Sequence, residues 1–155
     1  MPEPAESRLS EDTLPEPIRR ALQDYARHPE NADLLFQVAC AQADNPLPLY
    51  RLLYKFYNRQ RRFDLARDYA RRALAEAARR GGLTSAPETW RASDLLGLDS
   101  TNASQLRLAL KAQAFLALRA GDHAASKRPL DILLRLDPED GSGASVVSAL
   151  ADSLA

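Results

Sequence analysis

A chain of 155 residues, 45% of them hydrophobic, can bury one substantial core but is short for two full domains. Its 21 basic and 21 acidic side chains cancel, so whole-molecule charge points to neither nucleic acid nor a membrane surface as partner. The lone cysteine, Cys40, excludes an internal disulfide and fits a reducing compartment.

The charge is unevenly spread. Residues 1–46 hold 4 basic against 9 acidic side chains, residues 47–91 hold 11 against 4, and residues 92–155 hold 6 against 8. A basic middle therefore lies between two acidic flanks. Residues 1–15 combine Pro2, Pro4 and Pro15 with acidic side chains and offer little to bury, so a disordered tail is expected there and one helical domain over 16–155. These residues also lack the basic start and apolar stretch of a signal peptide, and no later apolar run approaches membrane-spanning length. The expected location is cytoplasmic.

Pro17 suits the first turn of a helix, and Ile18, Leu22, Tyr25 and Ala26 follow at helical spacing up to Pro29. Asn31 is the expected cap of a second helix, with Leu34, Leu35, Val38, Ala39 and Ala41 as its apolar positions and a stop at Asn45–Pro46. Cys40 falls in that run and reads as a packing thiol.

The stretch from Leu47 to Arg80 reads as two amphipathic helices joined by a short turn. Tyr50, Leu53, Tyr54 and Tyr57 recur at spacings of three and four, which places them on one face. Phe63, Ala66, Ala70, Ala73 and Leu74 do the same in the second helix, whose alanines make room for the aromatic rings. Gly81–Gly82 ends it.

The Ser85-x-x-Glu88 spacing predicts a capping box and a short helix carrying Trp90 to Leu96, with Trp90, Leu95, Leu96 and Leu98 sealing the core. Asp99 to Asn102 offer caps for a helix with Leu106, Leu110, Ala114, Ala117 and Leu118 on one face. After a turn at Gly121–Asp122 another helix carries Leu130, Leu133, Leu134 and Leu136 to Asp137–Pro138, with Pro129 in its first turns or at a kink. Gly141-Ser142-Gly143 is a joint, and Val146, Val147, Leu150 and Leu154 form a last amphipathic helix that covers the end.

Tyr50 to Leu74 and Leu110 to Leu134 are alike at an offset of roughly 60 residues. On Tyr50, Leu53, Tyr57, Ala66 and Ala73, and again on Leu110, Ala117, Gly121, Leu133 and Pro138, the chain resembles the tetratricopeptide repeat, a helix–turn–helix unit of about 34 residues. Three positions depart from that pattern: Tyr54 stands where the family prefers a small residue, Gln113 where it has leucine, and Ser126 where it has alanine. The resemblance implies an all-α fold of stacked antiparallel helical hairpins, a TPR-like α-solenoid with a C-terminal capping helix, acting as a protein-binding adaptor or chaperone. The run Leu49 to Asp64 also resembles small repeat proteins encoded among bacterial nitrogen-fixation genes, which implies nitrogenase or its assembly proteins as partners. Type III secretion chaperones share the architecture and size.

Tetratricopeptide proteins bind on the face made by the first helix of each pair. If the tyrosines point inward, Arg51, Lys55, Asn58 and Arg59 lie on an adjoining strip, and Lys111 and Arg119 occupy the places of Arg51 and Arg59 in the later copy. Such a basic groove fits an acidic segment of a partner protein, through charge-assisted hydrogen bonds. Nucleic acid is not expected, because the tyrosines have the spacing of a core stripe. No cofactor or catalytic residue is expected either: His28 and His123 are isolated, and no glycine-rich phosphate loop is present. The competing reading, an accessory enzyme or metal carrier, would have to rest on Cys40, His28 and His123.

Overall fold

The computed structural model describes residues 13–139 and 143–154. Its regular elements are all helical: α1 (Glu16–Gln23), α2 (Pro29–Gln42), α3 (Leu47–Arg59), α4 (Phe63–Arg80), α5 (Ala92–Leu96), α6 (Ser100–Arg119), α7 (His123–Leu136) and α8 (Ala144–Leu154), with a 3-10 turn at Pro87–Thr89. Prolines set the starts of the first three, with Pro17, Pro29 and Pro48 at the first or second helical position. There their missing N–H groups cost no intrahelical bond. Aspartates start the later pair. Asp99 accepts from the Asn102 backbone N–H at 2.7 Å and Asp122 from that of Ala125 at 3.2 Å.

The turns after α3 and α6 share one hydrogen-bonding pattern. The Arg62 N–H reaches the Tyr57 carbonyl at 2.9 Å and the Arg61 N–H that of Asn58 at 3.0 Å; Asp122 reaches Ala117 at 2.9 Å and Gly121 reaches Leu118 at 3.0 Å. Both turns need a left-handed residue. Gly121 supplies it at φ +80°, whereas Arg61 holds φ +60° against the crowding of its own Cβ. At an offset of 60 residues the two turns thus match in backbone geometry.

Packing runs along the chain: α1 lies on α2, α3 on α4, α4 on α6, α6 on α7, and α7 on α8. Ala66, Ala70, Ala73 and Ala77 of α4 are all buried, and their small side chains admit α3 on one side and α6 on the other. The deepest part of the core is aromatic. The Tyr57 ring meets those of Tyr25, Phe36 and Phe56 edge-on and stacks on Tyr69 at 5.7 Å. Three of the four expected first-face residues of α3, Leu53, Tyr54 and Tyr57, are buried, and Tyr50 is half-buried.

Several local expectations need correction. The buried face of α2 is Ala32, Phe36 and Cys40, while Leu34 and Val38 are 62% and 43% exposed. Phe36 faces inward because its ring, a larger apolar group than the Leu34 side chain, packs edge-on against Phe56 at 5.8 Å. Helix α2 also starts at Pro29, not after an Asn31 cap. Ser85 makes no capping box: Asp94 accepts from the Arg91 backbone N–H at 2.8 Å and opens α5 instead. Trp90 precedes that helix, buried, with its indole N–H on the Thr84 carbonyl at 3.0 Å, and Leu96 is 87% exposed rather than sealing the core. Leu134 is partly exposed, whereas Pro129 lies within the first two turns of α7, as expected, and is buried. Leu14, in the stretch expected to be a tail, is buried with Ile18 and Leu22; residues 1–12, Asp140, Gly141 and Ser142 lie outside the described residues.

Candidate functional site between α3 and α6

Three of the six predicted binding residues converge on one depression. Tyr54, Lys55 and Asn58 of α3 face Leu108, Lys111, Ala112, Phe115 and Leu116 of α6 across a hollow of about 240 Å3. Its floor is apolar, with the Phe115 ring 37% exposed, and its two charged lining groups are both ammonium groups. Arg51 and Arg59 stand one turn to either side of Lys55. Desolvation first, then these two guanidinium groups, hold the Lys55 ammonium below the usual lysine pKa. An acidic ligand would relieve that repulsion.

Asn58 lends the site a second, directional feature. Its Oδ1 is buried and has no hydrogen-bond partner among the described residues, a costly state for an amide oxygen that an incoming N–H would end. Lys111 closes the other side, its Nζ lying 3.5 Å from where a Cβ on Gly143 would stand, beside the start of α8. Arg119, expected to extend the strip, does not line the hollow: its guanidinium sits over the Phe63 ring at 5.4 Å, with Arg61 over the same ring at 5.9 Å. Sequence reasoning missed the apolar floor. The signal was present in Leu108, Ala112 and Phe115, which recur at four and three residues, out of phase with the buried stripe of α6.

A second polar cluster lies at the edge of the core. Asp33 accepts hydrogen bonds from the Tyr25 hydroxyl at 2.8 Å and the Tyr57 hydroxyl at 2.5 Å, and Arg62 donates to the Tyr25 oxygen at 3.1 Å. It ties the α1–α2 connection, α2, α3 and the α3–α4 turn together. Burial, then the bond to Asp33, pushes the Tyr25 phenol up to about 12, and the same causes drive Tyr57 up. Burial also raises Tyr50, Tyr54 and Tyr69, so all five tyrosines are shifted in one direction.

A phenol whose pKa is higher in the folded chain stabilises the fold fully below the unfolded value near 10, and that contribution is lost as pH rises through the folded value. An alkaline titration should therefore show less phenolate absorbance near pH 10 than five free tyrosines would give, followed by a cooperative rise that coincides with loss of helical circular dichroism. The full phenolate signal appearing near pH 10 with helicity intact would place the rings in solvent.

Among the described residues no group of three or more His, Cys, Asp or Glu side chains is placed to hold a metal ion, and no helix is long and apolar enough to cross a membrane. Cys40 is buried, and desolvation raises its thiol to about 11. Compared with known proteins, the chain matches no family model, no curated protein and no solved structure.

Proposed function

We propose that the protein is a non-enzymatic binding module, an adaptor or assembly chaperone built as a tetratricopeptide-like stack of helical hairpins, that holds an acidic segment of a partner protein between α3 and α6. The observation that carries this reading is the lining of the hollow. An apolar floor takes a leucine-sized side chain, Lys55 and Lys111 flank it for carboxylates, and the Asn58 Oδ1 awaits a backbone N–H. The shared turn geometry after α3 and α6 supports the repeat, and α8, packed on α7 and α6, has the place of a capping helix. The resemblance of Leu49 to Asp64 to nitrogen-fixation accessory proteins makes nitrogenase and its assembly proteins the first partners to offer.

Fluorescence anisotropy with two labelled peptides, one alternating leucine with glutamate and one leucine with lysine, tests the reading directly. The acidic peptide should bind the more tightly. Lys55→Glu with Lys111→Glu should weaken it by about tenfold or more, mostly at low salt, with helicity unchanged. Equal binding of both peptides, or an unaffected double variant, would remove the site.

A further inference from the structure

The second copy of the repeat is hollow where the first is solid. At the offset of 60 residues, Leu53, Tyr57 and Tyr69 correspond to Gln113, Ala117 and Pro129. The first three are all buried and fill the aromatic core; the second three line a cavity of about 280 Å3 bounded by α4, α6, α7 and the turn at Pro87. Two large rings have been exchanged for small residues, and a core leucine for an amide.

The walls of this cavity are as distinctive as its shape. Arg67 and Arg71 of α4 and Arg128 of α7 line it together with Gln113, and no carboxylate does. Leu74, Leu110 and Ile132 supply the apolar part. Gln113 is half-buried, whereas its equivalent Leu53 is only 1% exposed. Among the described residues the three arginines pair with acids outside the lining: Arg67 with Asp122 at 3.2 Å, Arg71 with Asp68 at 3.4 Å, and Arg128 with Glu88. Pairs this exposed are worth little and exchange readily for a better anion.

The space continues beneath residues 83–90 into a hollow of about 430 Å3 walled by Thr84, Pro87 and Trp90, with Arg71, Gln113 and Arg128 common to both parts. Trp90 and its bond to Thr84, with Arg135 donating to the Pro87 carbonyl at 3.1 Å, hold that segment in place as a roof.

From this geometry we infer a second binding site, distinct from the α3–α6 hollow, for a compact organic anion carrying at least two carboxylate or phosphate groups. Guanidinium groups on two walls engage two oxyanions in planar, paired hydrogen bonds, Gln113 between them reads a polar group, and Leu74, Leu110 and Ile132 cover the carbon body. A hollow of about 280 Å3 suits a metabolite rather than a peptide. Carboxylate and phosphate share this chemistry, so the two are separated by experiment.

The full-length protein is titrated at low ionic strength with citrate and with inorganic pyrophosphate, followed by calorimetry and by fluorescence of Trp90, the one tryptophan of the chain. At least one probe should saturate at one site per chain and shift the Trp90 emission; which probe binds more tightly assigns the anion class. Gln113→Leu, which restores the residue of the first copy, should keep or raise the melting temperature and weaken binding by about tenfold or more, as should Arg71→Gln with Arg128→Gln. Lys55→Glu with Lys111→Glu should leave the titration unchanged, so that this site and the peptide site stand or fall separately. Absence of saturation by both probes, saturation that survives Gln113→Leu and the double arginine variant, or binding of an acidic peptide in this cavity with neither small anion would overturn the assignment.

Discussion

Replacing Tyr57 with alanine is expected to lower the free energy of unfolding by about 4 kcal/mol, the scale of a large aromatic removed from a core. Tyr57 is fully buried, and its ring touches those of Tyr25, Phe36, Phe56 and Tyr69, which come from four separate segments. No neighbour can slide into the vacated space without breaking another of these contacts, so the cavity would persist. The lost hydroxyl leaves Asp33 with one phenol in place of two. Urea unfolding followed by circular dichroism should show a large fall in the midpoint with an unchanged slope. Tyr57→Phe isolates the hydroxyl and should cost about 1 kcal/mol. A change below about 1 kcal/mol for the alanine variant would mean that the aromatic cluster is not the centre of the fold.

Leu110→Ala is expected to cost about 3 kcal/mol, within the range for a buried leucine. Leu110 is completely buried in α6, the helix that packs on both α4 and α7, and it also lines the arginine-walled cavity. That border decides the sign of a further effect. Truncation enlarges a space already open, so collapse offers little relief, and anion binding should weaken together with stability. The same urea measurement, repeated with and without citrate, reads both. A loss under about 1 kcal/mol would show that α6 is not wedged between its neighbours.

Much of the helical pattern was legible because its punctuation is strong. Pro17, Pro29, Pro46, Gly81, Gly121 and Pro138 mark breaks that the structure keeps, and the alternation of large and small residues between Leu47 and Leu74 picked out most of the buried faces of α3 and α4. The face of α2 was not legible. Leu34 to Ala43 contains no charged residue, so its periodicity is weak and tertiary contact through Phe36 decided the rotation.

The candidate sites divide in the same way. Lys55, Asn58 and Lys111 could be placed from register alone, because each lies one step from a buried neighbour on a regular helix. Arg119 could not, since its position equivalent to Arg59 says nothing of the Phe63 ring that receives it. Gln113 stood out in the sequence as a departure from leucine. Its role was hidden because the arginines around it belong to α4 and α7, where isolated helices present them as solvated surface.

Because α1 rests on α2, α3 on α4, α6 on α7 and α7 on α8, most pairings close only a short loop, and the α4–α6 pairing a longer one across residues 81–99. The entropic barrier to assembly is correspondingly low, and ordering should spread outward from α3, α4 and α6. A lesion in α1 or α8 then frays one extremity while the middle stays ordered, so both ends of the molecule are free to vary more than its centre.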